Sequence, residues 1–146
     1  MPEIGEIVQT LMSAWQTLQA EARAYPTAVR IWMGVMATLF FGGIVFTPWR
    51  VQARFVVGVM VATFVALVLG KAVWPEVART TIGAFTHLVL WSPLLIFLVM
   101  DRMRALKRGD HGTGTFGTVY SVWLYAVITV LTISLLLDGR EVSSVL

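Results

Sequence analysis

Four long apolar runs alternate with short polar segments along this chain. Each run holds about 20 residues, which a helix extends to about 30 Å, the thickness of a bilayer's hydrocarbon core. The runs cover residues 28–46, 51–69, 81–100 and 118–137. The pattern predicts an all-α integral membrane protein, a four-transmembrane-helix bundle that occupies residues 27–146.

A different pattern occupies residues 3–24, within the separate unit expected for residues 1–26. Apolar side chains recur there every three or four positions, which is typical of a one-sided helix. They are Ile4, Ile7, Val8, Leu11, Met12, Trp15 and Leu18. An acidic start and regular polar residues argue against a secretory signal. We therefore expect an amphipathic interfacial helix that Pro26 ends, with a helix folded back over its own bundle as the alternative.

Small residues repeat at four-residue spacing on the first two spans, and such stripes let helices approach closely. They are Gly34, Thr38 and Gly42, and then Gly58, Ala62, Ala66 and Gly70. We expect them to serve helix packing inside this chain, with contact to a foreign helix as the alternative.

A polar stripe follows on the fourth span, where Ser121, Tyr125 and Thr129 share one face that we expect to point into the bundle. The pair Asp138 and Gly139 then resembles a helix C-terminal cap.

His87 is the one ionisable side chain in the middle of a span, and Trp91 lies one helical turn further on. Such residues are functional candidates. One hypothesis makes His87 an axial ligand of a haem or chlorin, or a hydrogen-bond partner of a quinone, with Trp91 against its ring. The favoured hypothesis is a structural histidine bonded to a threonine of similar depth, namely Thr38, Thr63 or Thr132. A bis-histidine haem within one chain is excluded, because His111, the only other histidine, lies in a loop at the other end.

Two features of the loop before the fourth span have modest explanations. Residues 112–117 match GxGxxG, but they lack the preceding strand of a dinucleotide site, so a flexible turn is the better interpretation. The third span ends in basic residues that stop the span in the membrane or bind anionic lipid headgroups. These are Arg102, Arg104, Lys107 and Arg108.

Composition supports the membrane assignment and removes several kinds of chemistry. The chain has 146 residues, is 58% hydrophobic and has a mean hydropathy of +0.80, above the level of water-soluble domains. It has no cysteine, which excludes disulfides, iron–sulfur clusters and thiolate zinc sites. Its net charge of +3 comes with basic residues beside the spans, so we expect a lipid bilayer rather than nucleic acid as a partner.

Orientation follows from Lys and Arg in short loops. The loops 47–54 and 101–117 hold six basic residues, against five spread over the longer segments on the terminal side. We therefore expect both termini outside the cytoplasm, in a bacterial inner membrane.

Scarce chemistry, small-residue stripes and a docking helix favour a non-enzymatic accessory or structural subunit of a larger inner-membrane complex. Its partners would be other membrane proteins or further copies of itself. The first alternative is a small transporter or channel with a path along the polar stripe, and the second is cofactor binding at His87. No catalytic or metal-ligating set is evident, and no cofactor is strongly implied.

Overall fold

A computed structural model describes residues 3–109 and 114–145, and every regular element within those ranges is helical. His111 and Gly112 lie outside the described residues, as does the start of the GxGxxG match. The helices are α1 (Ile4–Ala24), α2 (Thr27–Gly42, continued by a 3₁₀ turn over Gly43–Phe46), α3 (Val51–Val73), α4 (Arg79–Lys107) and α5 (Gly114–Val145).

Within the described ranges, four segments are long and apolar enough to cross a membrane, which fits the all-helical membrane fold. They are Thr27–Phe46, Val51–Val73, Arg79–Lys107 and Gly114–Arg140, and each contains one of the apolar runs. Successive helices pack side by side, and α2 also contacts α5, which closes a four-helix bundle. Val56, Leu98 and Leu131 are among its fully buried side chains. Large apolar side chains such as Phe85, Ile96 and Val122 point outward, as lipid contact requires.

Two sets of side-chain hydrogen bonds connect the helices at the end of the bundle where α2 is followed by α3. The Trp123 indole Nε1–H donates to the carbonyl of Leu39 at 2.8 Å, and the indole fits there because Gly43 has no Cβ. Nearby, the Gln52 amide donates to Asp101 Oδ2 at 2.6 Å and its oxygen accepts from the Tyr120 hydroxyl at 3.1 Å. This chain of bonds joins α3, α4 and α5.

The expected helix stop at Asp138 and Gly139 is wrong, because α5 continues through both residues to Val145. A glycine ends a helix when it takes the left-handed conformation. Among the described residues, only Gly109 (φ 72°) and Gly114 (φ 84°) have positive φ, and they lie at the end of α4 and the start of α5.

The small-residue stripes face largely away from the bundle, unlike the packing that we expected inside the chain. Thr38 and Ala62 are exposed, Ala66 is half-buried, and no described atom would meet a Cβ at Gly34, Gly42 or Gly58 within 4 Å. Gly70 alone packs tightly, since a Cβ there would lie 2.8 Å from Ile82 Cγ2.

The polar stripe of α5 also points outward rather than into the bundle. Tyr125 and Thr129 are exposed and Ser121 is half-buried. The Thr129 hydroxyl donates to the carbonyl of Tyr125 at 2.9 Å, so its hydrogen-bonding capacity is used within α5.

Helix α1 packs against α3 through its second half, where Ala14 and Leu18 are buried. The earlier part of its apolar stripe is uncovered, with Ile4 82% and Met12 59% exposed. The described bundle therefore leaves half of this apolar face open.

Candidate functional site

A cavity of about 690 Å³ lies where α2 and α4 begin, between those helices, the end of α1 and the later parts of α3 and α5. Its walls are mostly apolar, with Met33, Phe64 and Leu67 among them. A few polar side chains converge on it, including His87, Asp138, Thr63 and Ser134.

His87 pairs with Asp138 across the cavity wall, so the expected threonine partner is wrong. The distance from His87 Nδ1 to Asp138 Oδ2 is 2.8 Å, and the two side chains are 19% and 17% exposed. The pairing exists because α5 runs past the end of its apolar run and carries Asp138 back against α4. In the tautomer whose Nδ1–H donates to the Asp138 carboxylate, the Nε2 of a neutral imidazole is an acceptor. No described residue bonds that Nε2.

Trp91 fixes the orientation of the histidine ring. The two rings stack with centroids 3.8 Å apart and planes 25° apart. The Trp91 indole N–H donates to Thr63 Oγ1 at 2.9 Å, and the Thr63 hydroxyl donates to the Val59 carbonyl at 2.8 Å. Phe40 meets Trp91 edge-on with centroids 5.4 Å apart. His87 and Trp91, paired from the sequence, therefore share one rigid wall of the cavity.

Three arginines line the cavity at its mouth: Arg23 at the end of α1, Arg30 in the first turn of α2 and Arg79 at the start of α4. The Arg79 guanidinium donates to the Leu18 carbonyl at 3.1 Å and lies over the Tyr25 ring, 5.7 Å from its centroid.

A partly buried ion pair connects α1 to the bundle beside this mouth. Lys71 is 3% exposed, and its Nζ lies 2.6 Å from Glu21 Oε1. The other carboxylate oxygen of Glu21 accepts from the backbone N–H of Arg79 at 3.0 Å, and Lys71 also donates to the Val77 carbonyl at 2.9 Å. Glu21 therefore connects α1 to the turn between α3 and α4.

The other predicted site residues lie away from the cavity, except Gly34, which lines it. Arg102 donates to the Tyr125 hydroxyl at 3.0 Å at the opposite end of the bundle. Arg104, Lys107 and Arg108 are exposed there. Within the described ranges, no group of three or more His, Cys, Asp or Glu side chains is placed to hold a metal ion.

Sequence reasoning missed Asp138, Arg23, Arg30 and Arg79 as members of one site. The available signal was their common depth, because all four lie toward the same end of the bundle, where α1 and α5 end and α2 and α4 begin. Comparison with known proteins adds no assignment: no family model, no curated protein and no solved structure matches this chain.

Proposed function

We propose that this protein is a non-enzymatic integral membrane protein that binds an apolar or amphipathic molecule in the cavity between α2, α3, α4 and α5. The cavity carries this proposal. Its volume of about 690 Å³ lies within the range of small-molecule sites. Apolar walls with a few convergent polar groups are also the usual composition of such sites.

His87 supplies the directional polar contact in this proposal. Asp138 holds Nδ1, and Trp91 fixes the plane of the ring. The same arrangement orients histidines whose other nitrogen binds a metal centre. An acceptor Nε2 that no described residue bonds suits the hydroxyl of a quinol-like ligand as well as a haem iron, so His87 and Trp91 stay the candidate ligand-binding residues.

Gly34 and Gly42 offer a matched test. Both lie on α2 with open space over their Cα atoms, but only Gly34 lines the cavity. We expect Gly34→Leu to place a side chain in the cavity and to displace small molecules that co-purify with the protein in mild detergent. Gly42→Leu should retain them. The measurement is mass spectrometry of organic extracts, and identical profiles from both variants and the parent would refute the proposal.

A second candidate function is that of an accessory subunit in a larger inner-membrane assembly. It is supported by the outward small-residue surface that Gly42, Gly58 and Ala62 leave open. Ala62→Leu should displace a partner helix without lowering the thermal stability of the isolated chain, since Ala62 touches no core. Crosslinking in membranes from a cysteine at residue 58 measures that contact. A crosslinked species that persists unchanged in the Leu variant would contradict this candidate.

The remaining expectations stay proposals about location. Loop charges support both termini outside the cytoplasm of a bacterial cell. The uncovered apolar side chains of α1 support its lying at the membrane interface. Transport along α5 has lost its support, because Tyr125 and Thr129 point away from the bundle.

A further inference from the structure

We infer that the ligand of the cavity is an amphiphile with an anionic head group, a carboxylate or phosphate held among Arg23, Arg30 and Arg79 with its hydrocarbon chain in the cavity. This inference rests on the proposed function and adds the chemical class of the ligand. It follows from the distribution of charge around the mouth and of apolar surface behind it.

Within the described ranges, the arginines at the mouth have no counter-charge of their own. Among the described residues, Arg23 and Arg30 form no ion pair. Within the described part of the chain, the guanidinium of Arg79 contacts neutral groups, a backbone carbonyl and an aromatic ring. The carboxylates nearby are already engaged, Glu21 by Lys71 and Asp138 by His87. An anionic head group would supply the missing charge, and arginine suits carboxylate and phosphate in particular.

The depth of the cavity accommodates a polar head group at the arginines and a hydrocarbon chain behind it. His87 follows Arg79 by eight residues of α4 and Trp91 follows by twelve, which places them about 12 Å and about 18 Å deeper. Between these levels the wall includes Met33, Phe64 and other apolar side chains. A head group at the arginines therefore puts a hydrocarbon chain along the apolar wall toward Trp91.

Tryptophan quenching measures this arrangement, because bromine atoms on an acyl chain quench an indole only at short range. The probes are dibromostearate and the uncharged dibromostearyl alcohol, added to the detergent-solubilised full chain. Trp32 and Trp91 line the cavity, whereas Trp49 is 66% exposed at the other end. We expect saturable quenching by dibromostearate that Trp32→Phe or Trp91→Phe reduces and Trp49→Phe leaves unchanged.

Charge dependence separates this inference from the proposed function. Arg23→Gln combined with Arg30→Gln should weaken dibromostearate binding roughly tenfold, about the worth of two ion pairs made by exposed arginines. Arg104→Gln with Arg108→Gln removes equal charge at the far end and should change little. Equal binding of the acid and the alcohol, with no effect of either double variant, would overturn the anionic head group and leave the cavity as a binding site. Quenching that no cavity tryptophan mediates would overturn both.

A third probe, dibromostearoyl phosphatidic acid, identifies the source of the head group. Tighter binding of phosphatidic acid than of dibromostearate, with the same dependence on Arg23 and Arg30, supports a membrane phospholipid. The reverse order supports a free fatty acid. Each result supports the anionic amphiphile and assigns its class.

Discussion

The adjacent glycines Gly42 and Gly43 should respond oppositely to the same substitution. A Cβ at Gly43 would lie 2.6 Å from Cζ2 of Trp123, whereas one at Gly42 would have nothing within 4 Å. Ordinary contacts of a Cβ begin at 3.4 Å. In Gly43→Ala the indole or the turn must therefore move by about 0.8 Å, in a region where small overlaps already cost stability.

The indole has little freedom to move. Its N–H donates to the Leu39 carbonyl at 2.8 Å. Its ring also packs on Phe46 and Tyr120, with centroids 5.2 Å and 5.8 Å away. Overpacking of this kind costs about 1–3 kcal/mol. Alanine recovers up to about 1 kcal/mol through its helix propensity, so we expect Gly43→Ala to lose about 1–2 kcal/mol of unfolding free energy.

Thermal unfolding in one detergent at one scan rate measures the difference. For a chain of this size we expect Gly43→Ala to unfold about 2–8 °C lower than the parent, using about 2–4 °C per kcal/mol. Gly42→Ala should unfold at the same temperature or slightly higher, because it gains helix propensity without a clash. Equal shifts in the two variants would refute the close approach of Trp123 to Gly43.

Three further predictions address other parts of the molecule. Glu21→Gln should weaken the docking of α1 on the bundle by roughly 1–3 kcal/mol, because the buried ammonium of Lys71 loses its counter-charge. Faster tryptic cleavage within α1 measures this loss, and unchanged cleavage would contradict the anchoring by Glu21. Asp138→Leu should lower the free energy of unfolding by about 1–3 kcal/mol, because the Nδ1–H of His87 loses its acceptor. Asp138→Asn should retain most of that free energy, and equal losses in the two variants would count against the hydrogen bond. In intact cells, a cysteine replacing Arg108 should resist an impermeant maleimide and one replacing Ser143 should react, and the reverse pattern would invert the orientation.

The sequence predicted the helices well because their signal is local. Length and apolar content alone define a span, and each apolar run lies within one membrane-spanning segment of the structure. The end of α5 was predicted wrongly for a related reason. Asp138 and Gly139 resemble a helix stop locally, yet the carboxylate has a partner on α4 that only the tertiary structure provides.

Helix faces were harder to predict than helix positions. The spacing of Gly58 and Ala62 is the same whether the stripe packs on a neighbouring helix or faces away from the bundle, because small residues occur in both positions. The polar face of Tyr125 and Thr129 has the same ambiguity, since a hydroxyl in a helix can bond a carbonyl one turn back. Sequence spacing identified these faces but could not assign their direction.

One part of the candidate site could be predicted from the sequence, and another part could not. His87 and Trp91 lie one turn apart on one helix, so their pairing follows from spacing alone. The arginines of the mouth come from three helices, and Asp138 from a fourth. Their meeting depends on the rotation of each helix about its axis, which periodicity does not determine in a span that is apolar on every side.

The ion pair between Glu21 and Lys71 sets an order for biogenesis. Helix α1 is synthesised before α2 to α5, but its contacts to Lys71 and Arg79 can form only when those residues have been made, 50 and 58 residues after Glu21. By that point α2 and α3 have been synthesised, whereas the partners of Glu21 have only just become available. Docking of α1 is thus a late step, and it reports that α3 and the start of α4 have reached their final arrangement.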